Sequence, residues 1–390
     1  MTESDVSQWY EEELDEVEDE YPIDQYDLTA SPNDFNVSTL FSFIESGAVK
    51  IPGFQRHYVW DQKRASKLIE SLIIGLPVPQ IFLYEEARNS FLVIDGQQRL
   101  MSIYYFINQR FPRKQKRVEL RRVFEKHGGI PDEVLHDDEY FAKFNLELPA
   151  HLPEQPNRFN KLNYSTLGDY KTAFDLRPIR NIIVKQVSPK DDDSAIYEIF
   201  NRLNSGGVNL TAQEIRMSLY HSEFYQMLAR ANLRDDWRRL LALQDPDLHA
   251  KDIEFLLRGF AMLENGSGYR PSMIKFLNSY SKTGKHISPD HTSYLEELFG
   301  SFLYACSDLN PSAFQSATRR FSVTVFESVF AAVCTEPHRT RTLVEGKVSP
   351  ESITALREDG RFQESVQRRT ADRKQVETRL QRARALVRLA

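Results

Sequence analysis

Cysteine is almost absent: Cys306 and Cys334 are the only two in 390 residues. Two such residues supply neither a disulfide framework nor a zinc-ribbon spacing, which favours a reducing, cytoplasmic setting. No run of about 18 apolar residues occurs, so no membrane span is expected. No basic start followed by an apolar stretch reads as a secretory signal. The P-loop pattern is missing too. Thr283-Gly284-Lys285-His286 lacks both the upstream glycine and the final Ser or Thr. Gly266-Ser267-Gly268 lacks the third glycine of a dinucleotide fingerprint. The nine histidines stand without metal-ligand spacing and read as surface or packing residues. No G-x-S-x-G elbow or cysteine-nucleophile context is visible.

What is present is ordinary for a folded chain of two domains, or of one large domain with a helical appendage: 41% hydrophobic and 27% charged residues, with 25 Phe and 17 Tyr for a core. The net charge of -6 conceals an asymmetry. Residues 1–27 hold twelve Asp or Glu and no Lys or Arg, and without them 50 basic stand against 44 acidic residues, a balance of +6. Such a block reads as a solvated, disordered tail. The alternative is a tail that competes with nucleic acid for a basic groove, with Trp9, Tyr10 and Tyr21 docking on the body.

The body begins near Ser31. Asn36–Ser46 reads as a short amphipathic helix, and Val49–Pro52 as a short strand. Asp61 is a natural N-cap for a helix whose Ala65, Leu68, Ile69, Leu72 and Ile73 share one face, with Gly75 as its stop. Gln80–Tyr84 and Phe91–Ile94 read as a β-hairpin. A helix then runs from Gln97 to Asn108, with Leu100, Ile103, Tyr104 and Ile107 as its apolar side. Residues 111–180 read as an irregular insertion with one or two short helices. Ile182–Val187 is a strand, and Asp191–Asp193 open a helix. Thr211-Ala212-Gln213-Glu214 is a capping box, after which the pattern is almost wholly helical. The Arg-rich stretch Gly360–Leu389 suits a solvated helix face or contact with nucleic-acid phosphates.

Three polar clusters interrupt the apolar elements: Gln55-Arg56 with Tyr58 and Trp60; Asp95-Gly96-Gln97-Gln98-Arg99; and Asn201-Arg202 with Asn204 and Gly206-Gly207. The second carries most information. A strand ends at Asp95, Gly96 permits a tight turn, and a helix starts at once. Backbone N–H groups and the dipole at a helix start attract anions, and Arg99 suits bidentate phosphate contact. Asp95 could hold a divalent cation or a ribose hydroxyl, and Gln97 or Gln98 could orient a water. The same turn also reads as an ordinary helix cap, and Trp60 as an anchor for the helix at Asp61.

The three clusters together, Phe54-Gln55-Arg56-x-Tyr58-x-Trp60, Ile94–Leu100 and Phe200–Gly207 followed by Leu210 and Glu214, resemble the GmrSD N-terminal-domain family of modification-dependent restriction and phage-defence proteins. The resemblance implies an α+β chain: a ParB/sulfiredoxin-like N-terminal domain (28–235) after the acidic tail (1–27), then a mostly α-helical half (236–390). It implies an NTP-binding and hydrolysing sensor, with Mg²⁺, coupled to recognition of DNA. Carried onto this sequence, Asp95, Gln97, Gln98 and Arg99 are the catalytic candidates, with Asp95 also the metal ligand. Arg56, Gln55, Gly96, Asn201 and Asn204 are the binding candidates. GTP, ATP, CTP and UTP are not distinguished. No His-Asn-His nuclease constellation follows residue 260, which implies a separate nuclease subunit or an unrecognised site; a homodimer stays open. The competing expectation is a nucleotide-gated DNA-binding or adaptor module without turnover.

Overall fold

The computed structural model describes residues 9–11, 27–50, 58–117, 119–120, 123, 130–150, 156–188, 199, 211–247, 249–367 and 369–389. The chain divides into two compact units, residues 21–219 and residues 220–390 joined by the N-terminal segment. The first is α+β and the second is helical.

In the first unit a five-stranded mixed sheet has the order β1-β7-β3-β4-β2. The strands are β1 (Asp27–Asn36), β2 (Val49–Lys50), β3 (Ile81–Ala87), β4 (Ser90–Asp95) and β7 (Pro178–Ser188). β3 and β4 form the expected antiparallel hairpin; β7 runs parallel to β3, and β2 parallel to β4. β1 starts earlier than the expected body at Ser31 and pairs antiparallel along β7. It is a polar and mostly exposed edge strand, so it shows no hydrophobic alternation.

Three helices carry the apolar stripes that cover this sheet. α1 (Val37–Glu45) is capped by the Asn36 side chain, which accepts from Thr39 N–H at 2.8 Å. α2 (Gln62–Ile74) is capped by Asp61, which accepts from Arg64 N–H at 2.7 Å. It stops at Gly75, whose φ of +85° supplies the left-handed residue that ends a helix. Its expected face is buried in full. α3 (Gln97–Ile107) packs against α1, α2 and a short strand, β5 (Arg110–Pro112). Being covered on several sides, it buries Tyr105 and Phe106 more deeply than the expected Tyr104 and Ile107.

The stretch after residue 110 is more ordered than an irregular insertion. β5 pairs antiparallel with β6 (Phe141–Lys143), and short helices occupy Asp132–Leu135 and Tyr170–Asp175. Phe111, Phe141, Phe144 and Phe174 join the same core as α2 and α3. α4 (Ala212–Leu219) begins at the expected capping box. Thr211 N–H donates to Glu214 Oε2 at 2.7 Å, and Glu214 N–H donates to Thr211 Oγ1 at 3.2 Å.

The second unit is built from α5 (Glu223–Asn232), α6 (Asp235–Leu241), α7 (Lys251–Asn265), α8 (Met273–Gly284), α9 (Pro289–Ala305), α10 (Val323–Thr340), α11 (Pro350–Glu358), α12 (Gly360–Gln367) and α13 (Arg373–Leu386). α7 and α10 are buried nearly all round and form its centre, with the charges of Asp252, Arg258 and Glu327 enclosed among their apolar residues. Trp237, Phe299, Phe326 and Phe330 interlock there, mostly edge-on or tilted. Arg379 of the Arg-rich stretch is fully buried, which neither a solvated face nor a phosphate contact anticipates. With Arg258 it brackets the buried Glu327: Arg258 Nε donates to Oε2 at 2.9 Å, and Arg379 Nε to Oε1 at 2.8 Å.

Trp9 and Tyr10 of the acidic segment seat on this unit. Trp9 Nε1 donates to Asp247 Oδ2 at 3.0 Å, and Trp9 O accepts from Phe321 N–H at 2.9 Å. Both rings lie edge-on to Phe255. Tyr21 lies outside the described residues. Among the described residues no helix is long and apolar enough to cross a membrane.

Candidate functional site

The apolar run of β4 ends at Asp95, paired across the sheet with Phe82. Gly96 then takes φ +102° and ψ 7°. A Cβ there would lie 2.9 Å from Ile81 Cγ1 and 3.2 Å from the Arg99 guanidinium. Both backbone conformation and space therefore demand glycine. α3 opens immediately, with Leu100 N–H donating to Gly96 O at 2.9 Å. No side chain caps this helix start. Its first-turn N–H groups and the positive end of its dipole thus converge beside the residues that follow Asp95.

Arg99 reaches back across this turn. Its Nη2 donates to Asp95 Oδ2 at 2.8 Å and to the carbonyl of Gln80 at 3.0 Å. The Arg99 side chain is 16% exposed and that of Asp95 is 40% exposed, so the pair lies at a surface with the guanidinium set inward. Arg99 Nε is buried and has no hydrogen-bond partner among the described residues. A buried charged donor of this kind calls for an acceptor.

Gln98 faces another way. Its side-chain oxygen accepts from the N–H of Val59 at 2.9 Å and of Trp60 at 3.4 Å. On the carbonyl side of the same loop, Arg117 Nη1 donates to Val59 O at 3.2 Å and Nη2 to Trp60 O at 2.9 Å. Residues 58–60 are therefore gripped from both edges of their backbone. Tyr58 completes the grip: its hydroxyl pairs with Ser102 Oγ at 2.9 Å, and Ser102 donates to Gln98 O at 2.7 Å. The Tyr58 ring lies edge-on to Tyr105 and Phe111. Burial pushes its phenol well above the ordinary value, so it remains a neutral hydrogen-bonding group. Trp60 is half-buried, packed on the core, with the Arg64 guanidinium 4.6 Å over its ring.

One turn thus gathers Asp95, Gly96, Gln97, Gln98 and Arg99, and through Gln98 it fastens the loop that follows Arg56. Gln55, Arg56, Asn201 and Asn204 lie outside the described residues. Sequence reasoning missed Arg117 and Ser102. Arg117 belongs to the run Arg113-Lys114-Gln115-Lys116-Arg117, which reads as solvated charge. Ser102 is a single polar residue on a helix face, where no periodicity marks it.

The donor set fits an anion with a hard cation beside it. The first-turn N–H groups and the Arg99 Nε suit phosphate oxygens, and the partly exposed carboxylate of Asp95 suits a divalent ion such as Mg²⁺. Residues 37–221 match the family described as GmrSD restriction endonuclease, N-terminal domain. The chain is also similar to the uncharacterized protein MJ0686 of Methanocaldococcus jannaschii, 22% identical over 255 residues. That similarity covers 52% of this chain and 43% of the relative, less than half of the relative's length.

Proposed function

Through residues 37–221 this chain belongs to the GmrSD restriction endonuclease N-terminal-domain family, and from that premise we propose that the Gly96 turn binds and hydrolyses a nucleoside triphosphate within a DNA restriction system. The observation that carries this reading is the helix start itself. It has no side-chain cap, it follows a glycine that cannot be replaced, and it is flanked by an arginine with an unanswered buried donor. The α3 N–H groups and Arg99 bind the phosphate chain and offset its charge. Asp95 holds Arg99 and would hold a Mg²⁺ ion, which would supply charge neutralisation. Gln97 orients the attacking water. Hydrolysis licenses restriction of DNA by a nuclease partner, and the chain itself acts as the sensor.

The test is phosphate release from each of the four NTPs by the purified chain with Mg²⁺. Asp95→Ala and Arg99→Ala should each abolish release from the preferred nucleotide. Undiminished hydrolysis in both variants sinks the assignment.

A second reading, a nucleotide-gated DNA-binding or adaptor module without turnover, is favoured by Gln98. The oxygen that could accept from a water is engaged by the backbone of Val59 and Trp60. Nucleotide at the turn would then bias the 58–60 loop rather than undergo chemistry. Saturable NTP binding with no phosphate release would select this reading.

A further inference from the structure

Three groups scattered over the sequence meet in the helical unit: Glu264 in the last turn of α7, His291 in the first turn of α9 and His338 in the last turn of α10. Glu264 Oε1 lies 2.8 Å from His291 Nε2 and 3.0 Å from His338 Nε2. All three ligating atoms fall within 4.8 Å of one another. The side chains are 14%, 19% and 24% exposed, sheltered yet reachable.

We propose that Glu264, His291 and His338 form a binding site for a divalent transition-metal ion. Two imidazole nitrogens and one carboxylate oxygen are borderline donors that suit zinc and its neighbours in the first transition row. Around such an ion, at bond lengths near 2.0–2.2 Å, adjacent ligand atoms stand roughly 3.0–3.5 Å apart. Of the two Glu264 distances, 3.0 Å lies at the short end of that range and 2.8 Å just below it, so a small separation of the ligand atoms admits the ion. Three protein ligands leave a further position for water.

The surroundings orient these ligands. The Tyr280 hydroxyl donates to Glu264 Oε2 at 2.5 Å, which turns Oε1 toward both histidines. The Tyr294 ring stacks on His291, with 6.1 Å between centroids and 15° between planes. Tyr294 is itself pinned, its hydroxyl donating to the carbonyls of Pro337 and Thr342. Outer partners of this kind fix ring orientation at metal sites.

The Arg341 guanidinium donates to His291 Nδ1, which places that ring's proton on Nε2, facing Glu264. Binding the ion moves the proton from Nε2 to Nδ1 through solvent and releases Arg341. That side chain is exposed and already lies 5.0 Å over the Tyr294 ring, where it can remain.

The experiment uses the full chain, stripped with a chelator, desalted and titrated with Zn²⁺. One equivalent per chain is expected by elemental analysis, with a rise in melting temperature. His291→Ala and His338→Ala should each weaken binding more than tenfold, and the double variant should retain none. Tyr280→Phe should weaken it about tenfold or more. Asp95→Ala should bind zinc as the wild type does, which separates this site from the nucleotide reading. Zinc uptake unchanged in the double variant, or well under one equivalent in the wild type, overturns the proposal. Should a histidine variant fail to fold, the wild type decides. Zn²⁺ must shift the ring resonances of two histidines, and Co²⁺ must give visible d–d bands; absence of both overturns it.

Discussion

Arg99 and Arg379 are the same residue type in two different settings. Arg379, in α13 of the helical unit, is fully buried, and Nε and Nη2 both donate to Glu327 while Nη1 donates to Thr370 O. Each nitrogen of its guanidinium is answered by its own chain. Arg99, at the start of α3 in the sheet unit, directs one nitrogen at Asp95 and Gln80, and its buried Nε has no partner among the described residues. The first arrangement is complete without a ligand, and it can only hold the fold. The second leaves one buried nitrogen unanswered among the described residues, on a side chain in the first turn of α3. An unanswered nitrogen does not by itself mark recognition, since among the described residues Arg238 Nε is also buried and unpartnered beside its ion pair with Asp252; at Arg99 it accompanies the glycine turn and the start of α3.

The largest expected effect lies on the complete side. Glu327→Ala removes the buried carboxylate to which both Arg258 and Arg379 donate, and should cost about 3–5 kcal/mol. Denaturant unfolding of the full chain measures it, and a loss below about 1 kcal/mol would break the comparison. Next is Gly96→Ala. A left-handed alanine and its Cβ against Ile81 should together cost about 2–4 kcal/mol. Smaller still is Arg99→Ala, which removes a partly exposed pair and should cost about 1 kcal/mol in the same assay. Arg99 should therefore be cheap for the fold and decisive for phosphate release. An Arg99→Ala variant as unstable as Glu327→Ala would place Arg99 among the structural arginines.

The contrast also marks what could be read in the sequence. Local rules were legible. Asp61 as N-cap, Gly75 as a left-handed stop, the Thr211–Glu214 capping box and the strand-turn-helix at Asp95 all depend on residues within a few positions of each other. The polar edge strand β1 was not, because a strand exposed along most of its length has no apolar alternation to display. The β5–β6 ribbon was hidden for a related reason, since three-residue strands are too short for a period. Long-range pairings escaped altogether. Glu327 meets Arg379 across 52 positions, and Glu264 meets His338 across 74, so spacing carries no sign of either. Of the candidate site, the turn itself was legible from its glycine and charge pattern. The grip of Arg117 on the 58–60 loop was not, because a basic run looks the same whether it is solvated or engaged.

The smallest effect comes from the helix that carries Arg379, the partner of Glu327. One turn along α13, Arg382 donates to Asp359 through Nε at 2.9 Å and through Nη2. This pair is reached by solvent, with side chains 30% and 17% exposed. The hydrogen bond from Arg382 holds the Asp359 carboxyl below its ordinary value of 3.8. A carboxyl held low stabilises the fold above that ordinary value, and the contribution disappears as pH falls through the lower, folded one. The stability gap between wild type and Arg382→Ala should therefore be level at neutral pH, close as the solution is acidified below 3.8, and narrow in high salt. It should also be the smallest gap in the series, because water competes for both partners. A gap at neutral pH comparable to that of Glu327→Ala, unmoved by salt, would mean that solvent does not reach this pair. The ranking of the arginines by unanswered donors would then have to give way to one based on ion pairing alone.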